Sequence, residues 1–172
     1  VEFSQDAQDQ YSLAYEELRR LAGSVLSGEP FATISPTTLV HETWLKLNAS
    51  RSITVESELH FKRIAARAMR QVLVDAARRR KSAKHGSGLA LVSFDEGIDV
   101  PASSDEQLLA LDSALSELGQ RHPRQAEMIE SRYFAGLTVP ETAALLGISE
   151  ATVNRDWRTA RAWLAAEMRR AG

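Results

Sequence analysis

The residues that could do chemistry here are mostly arranged for binding, not for bond making. The four histidines stand at 41, 60, 85 and 122, with neither HxxxH nor HExxH spacing, and the 172 residues include no cysteine. No Gly-rich phosphate loop or GxSxG elbow appears, so neither a nucleotide cradle nor a serine nucleophile is indicated. Without cysteine, disulfides and thiolate metal sites are excluded, and a reducing compartment suits the chain. The expectation is a protein that is not an enzyme and has no metal or cofactor. What stands out is arginine. Leu137–Leu164 reads LTVPETAALLGISEATVNRDWRTARAWL, a short helix, a turn at 146–149 and a second helix. At ~100° per residue, Val153, Trp157, Ala160 and Leu164 fall within roughly 60°, opposite Thr152, Arg155, Arg158 and Thr159. An apolar stripe seated on the first helix turns the arginines and threonines outward. That is the layout of a helix-turn-helix whose second helix enters the major groove, where arginine can contact guanine and threonine a phosphate or a thymine methyl. Asp156 would repel phosphate and is expected to turn aside.

Local chemistry supports the turn. Gly147 sits where the first helix must stop, and glycine alone takes a left-handed backbone cheaply. Ser149 is placed to cap the second helix with Glu150 in its first turn, and Pro140 suits the opening of the first.

A second basic surface lies upstream. Residues 60–92 hold nine Lys or Arg and one acid, while residues 93–120 hold seven acids and no base. The net charge of −2 conceals this split. Nine cations in 33 residues form an electrostatic footprint suited to phosphates. They sit on a helix predicted from Leu59 to about Lys81, whose buried side is Phe61, Ile64, Ala65, Ala68, Met69, Val72, Leu73 and Ala76. His60 and Phe61 near its start, with the loop before them, could stack on a base, although Phe61 equally suits a core.

The remaining elements follow from periodicity and caps. Residues 6–26 carry Tyr11, Ala14, Tyr15, Leu18, Leu21, Ala22 and Val25 at helical spacing. Ser35-Pro36 opens a helix with Leu39, Val40, Thr43, Trp44 and Leu47 as its stripe. Residues 48–58 read as a polar loop. Helices are predicted at about 106–118 and from Pro123 to about Phe134. The fold class is all-α, with two small helical domains, 1–92 and 106–172, joined by a flexible acidic linker at 93–105. No apolar run approaches membrane-spanning length and no signal peptide is visible, so a cytoplasmic location is expected.

Three stretches together resemble bacterial RNA polymerase sigma factors of the extracytoplasmic-function class: ETWLKL after TLV, the helix ending DAARRRK, and RYFAGLTVPETAALLGISEATVNRDWRTARAWL. The resemblance runs from about Tyr11 to Leu164. It implies that the first domain binds the polymerase clamp through Leu39, Glu42 and Trp44. The same domain would melt and read the −10 element through His60, Arg63, Arg67, Arg70, Gln71, Arg78, Arg79 and Arg80. The second domain would read the −35 element through Thr152, Asn154, Arg155, Arg158 and Thr159. The chain departs from the family pattern in two places. Asn154 and Asp156 stand where Lys or Arg is common, and Ser35-Pro36-Thr37-Thr38 stands where an acidic run similar to DAED precedes the polymerase-binding helix. Thr37 and Thr38 are therefore candidate phosphorylation sites, since a phosphate restores ~1.5–2 negative charges at a helix N-terminus that favours them. The implied partners are core RNA polymerase, promoter DNA both double-stranded and melted, a Ser/Thr kinase and an anti-sigma factor. A nucleic-acid enzyme of unknown class, opposed by the missing motifs, is one rival reading, and a stand-alone helix-turn-helix regulator is the other. It accounts for 106–172 but not for the ETW helix, the basic helix or the linker.

Overall fold

The computed structural model describes residues 15–23, 34–49, 55–86 and 104–171. Among them every regular element is helical: α1 (15–23), α2 (Pro36–Ala49), α3 (Glu58–Gly86), α4 (Ser104–Arg121), α5 (Pro123–Ile129), α6 (Val139–Leu146) and α7 (Glu150–Ala171), with a π-helical turn at Glu130–Phe134 that continues α5. No helix is long and apolar enough to cross a membrane among these residues.

The 29-residue α3 is the axis of the molecule. One side packs on α2, and another meets α4, the π turn and α6. Two cores form around it. Leu18, Leu21, Leu39, Val40, Met69 and Leu73 fill the first, and Leu115, Leu118, Met128, Phe134, Val153 and Leu164 help to fill the second. Each core borrows across the divide: Ala66 of α3 belongs to the second and Leu108 of α4 to the first. The two halves therefore pack directly on one another.

Helix ends follow the local signals. Ser35 Oγ accepts from the Thr38 N–H at 3.1 Å, with Pro36 at the first helical position. Ser57 Oγ caps α3 by accepting from the His60 N–H at 3.1 Å. Residues 93–103 of the expected linker, and the ends of the helix expected at 6–26, lie outside the described residues. Ser104 and Asp105, read as linker, belong to α4, while Asn48 and Ala49, read as loop, belong to α2.

The segment 123–134 is helical as its periodicity predicts, but its last turn is wider. The Ala135 N–H donates to Glu130 O at 3.1 Å and the Leu137 N–H to Ser131 O at 3.0 Å, closing the helix at Gly136, whose φ is 68°. In this turn both Glu130 and Ser131 are buried, and Ser131 Oγ returns a hydrogen bond to Glu127 O at 2.7 Å. Glu130 is thereby turned toward α3.

Candidate nucleic-acid interface

The helix-turn-helix is built from caps that satisfy their own backbone. Thr138 Oγ1 accepts from the Glu141 N–H at 3.3 Å, and Glu141 Oε2 accepts from the Thr138 N–H at 2.8 Å, a reciprocal capping box. The Thr138 backbone N–H holds the Glu141 carboxyl below its ordinary value. Gly147 ends α6 at φ 65°, and its N–H donates to Ala143 O. Ser149 Oγ then accepts from the Thr152 N–H at 3.1 Å and pairs with Thr152 Oγ1 at 2.9 Å. These bonds fix the start of α7 and hence the direction of its side chains.

Val153, Ala160 and Leu164 are buried in the second core with Trp157 half-buried against it, as the angular reading predicts. Asn154, Arg155, Arg158 and Thr159 are exposed, and Thr152 is partly so. Arg158 Nε donates to Asn154 O at 3.3 Å and Thr159 Oγ1 to Arg155 O at 3.2 Å, so both side chains lie along the helix surface. Asp156 is buried and accepts from Arg124 of α5 and from Arg155. On the other flank the Arg132 guanidinium lies 4.4 Å from the Trp157 ring centroid, and Arg161 lies 5.8 Å from it. Arg124 and Arg132 come from outside α7. No periodicity within α7 could have pointed to them.

The basic face of α3 is largely occupied. Arg70, only 4% exposed, reaches Glu130 Oε1 at 2.7 Å and Asp112 Oδ1 at 3.2 Å. Asp112 also takes Arg78 Nη2 at 3.2 Å and lies 3.5 Å from Gln71 Nε2. Arg80 makes a two-pronged pair with Asp105 at 2.6 and 2.9 Å, which raises its pKa further above the usual arginine value. Arg63 lies 3.3 Å from Glu127. All four carboxylates come from the second half. Among the eight residues assigned to the −10 surface, Arg67 and Arg79 are exposed with no described ion pair, and Arg78 is exposed while paired with Asp112. The His60 backbone N–H is bound by Ser57, and its Nδ1 accepts from the Glu56 N–H at 3.2 Å, so His60 sits in the cap of α3. Phe61 packs on the first core.

On α2 the three assigned residues separate. Leu39 is fully buried and joins α2 to α3, Trp44 is partly buried against the first core, and Glu42 is exposed. Leu45 is 50% exposed on the same helix and was not singled out by periodicity. An exposed leucine just off the apolar stripe was the available signal. Thr38 Oγ1 pairs with Ser35 Oγ at 2.9 Å, whereas the exposed Thr37 makes no side-chain hydrogen bond among the described residues.

Among solved structures, the chain is similar to the sigma factor RpoE from Bartonella quintana, which was crystallised with the anti-sigma factor NepR, at 21% identity over 96% of this chain and 98% of that one, with a TM-score of 0.41. None of the curated proteins matches the sequence. The family model of the ECF sigma factors matches residues 4–170, nearly the full length, and the protein belongs to that family.

Proposed function

We propose that this sigma factor directs core RNA polymerase to promoters whose −35 element is read by the outward face of α7. The carrying observation is that Asn154, Arg155, Arg158 and Thr159 stand exposed on a helix fixed by the Ser149 cap and by the buried Val153, Ala160 and Leu164. Such a helix offers charged and hydroxyl groups to a major groove without reorganising its backbone. Run-off transcription with core polymerase, on promoters selected from a random library, tests this. Arg158→Ala should lose at least tenfold activity, about 1.4 kcal/mol, and relax the selected −35 sequence. An unchanged sequence preference would refute it.

Contacts with the −10 element fall to α3, aided by Arg67 and Arg79, with the remaining arginines freed when the second half moves away. Polymerase contact falls to the exposed side of α2 through Glu42 and Leu45. A Ser/Thr kinase acting on Thr37 supplies the anion that the first turn of α2 lacks. Thr37 is preferred because Thr38 is engaged with the Ser35 cap. Polymerase binding by Thr37→Glu should exceed that of Thr37→Ala, while equal binding by both would remove the kinase from this reading.

A further inference from the structure

Asp156 is an acid on a helix that otherwise presents arginine, and its geometry is unlike that of a surface carboxylate. It is 6% exposed, and both of its oxygens are in use. Oδ2 accepts from Arg124 Nη2 at 2.8 Å and Oδ1 from Arg155 Nε at 3.2 Å. The side chains of Arg124 and Arg155 nevertheless remain 55% and 68% exposed. Arg155 spends only Nε on the contact, so the terminal fork of its guanidinium stays open to solvent, and Arg124 keeps Nη1 and Nε. One buried anion thus draws together two cations from different helices and leaves the group with a net positive charge.

We propose that Asp156 is a positioning residue that yokes Arg124 of α5 and Arg155 of α7 into a paired guanidinium clamp for a phosphate of duplex DNA beside the recognition helix. This rests on the reading of α7 as a reader of duplex DNA, and it adds Arg124, a residue outside that helix, to the contact surface. The physical gain is pre-organisation. A free arginine loses rotamer freedom when it grips a phosphate, whereas one already held by Asp156 has lost much of it beforehand. Arginine forks match phosphate oxygens in geometry as well as charge.

The sign of one substitution separates this from the simple electrostatic view. If Asp156 acted only as a negative charge near DNA, Asp156→Asn would tighten binding. If it positions the arginines, Asp156→Asn weakens binding, because the amide keeps one acceptor oxygen and sets an N–H2 group against the second guanidinium. The probe is a fluorescein-labelled duplex of about 20 base pairs and random sequence, titrated with the full chain from about 50 to about 200 mM salt, since phosphate contacts are blind to sequence and read out in the salt slope. Removing one phosphate contact lowers the slope by about 0.9 and weakens binding about eightfold near 0.1 M salt. Arg124→Ala should show that loss in the wild-type background and less than about a third of it in the Asp156→Asn background, whereas Arg158→Ala should keep its own effect in both. Tighter or equal binding by Asp156→Asn, or an Arg124→Ala effect of the same size in both backgrounds, would overturn the clamp and leave the reading of α7 intact. Loss of the Arg158→Ala effect in the Asp156→Asn background would mean that Asp156 merely seats α7, which also overturns the clamp. No duplex binding by the wild-type chain would overturn the reading of α7 and the clamp together.

Discussion

Replacing Arg70 by Met probes the junction between the two halves. The Arg70 side chain is 5% exposed, and those of its partners Asp112 and Glu130 are each 8% exposed. With charge centres about 4 Å apart and an effective dielectric of about 20, each carboxylate attracts the guanidinium by about 4 kcal/mol, which desolvation of the ions largely offsets. The intact cluster is therefore worth little net energy, but removing one member is expensive. Asp112 keeps Arg78 and Gln71 as neighbours, so the cost falls on Glu130, whose described ion pair is with Arg70 alone. Leaving a buried charge without its partner costs about 3–5 kcal/mol. In a chain of this size that lowers Tm by roughly 6–20 °C. Arg70→Met/Glu130→Leu should recover most of the loss, because no orphaned charge remains. Thermal and urea unfolding followed by circular dichroism measure both variants. Since the cluster joins α3 to α4 and the π turn, the single variant should also broaden or split the urea transition as the halves uncouple. A loss below about 1 kcal/mol, or no recovery in the double variant, would refute the reasoning, since the documented cost of breaking a buried pair is several times larger.

The remaining expectations concern the helix-turn-helix and one carboxylate of α1. Gly147→Ala should cost about 1 kcal/mol in urea unfolding, because its φ of 65° strains an alanine although an added Cβ meets nothing within 4 Å; a neutral result would contradict the left-handed cap. Thr138→Ala should cost about 1 kcal/mol through the lost acceptor for the Glu141 N–H, read as a lower midpoint at unchanged m-value. The Glu141 and Glu17 carboxyls both lie below the usual 4.5, Glu141 through the Thr138 backbone N–H and Glu17 through its hydrogen bond from Arg20. Each contributes stability that is fully present above the unfolded value and is lost as pH falls through the lower folded value. Glu141→Gln should therefore be less stable than wild type at pH 7 and converge on it in acid, and an equal gap at both pH values would count against the capping box.

The parts of the fold legible in the sequence are those decided within a few residues. Pro36 after Ser35, Thr138 three residues before Glu141, Gly147 and Ser149 each satisfy backbone groups of their own turn, so side-chain type and spacing suffice. The outward face of α7 followed from angle alone, because one buried stripe fixes the helix rotation. The π turn was not legible. Nothing in ESRYF separates it from an α-turn, and its inward-facing Glu130 finds Arg70 only through a contact 60 residues away in sequence. Nor was the clustering of Arg124 and Arg155 on Asp156, which depends on how α5 crosses α7.

The charge partition shows why a count alone does not choose the neighbour. Nine cations in residues 60–92 suggest phosphate, but seven acids follow in 93–120 with no base among them. Adjacent segments of opposite sign are as well suited to each other as to a third molecule. In the fold, Asp105 and Asp112 from the acidic segment, with Glu127 and Glu130 beyond it, take Arg80, Arg78, Arg70 and Arg63. A sequence gives the sign of a charge and not its partner, so the footprint could be counted but not assigned. Both uses compete for the same guanidinium groups. A side chain that is 5% exposed between two carboxylates, as Arg70 is, cannot also hold a phosphate. Any DNA contact by Arg70 therefore requires α4 and the π turn to withdraw from α3, and Arg67 and Arg79, exposed and without a described ion pair, are cations of that helix that can act before they do.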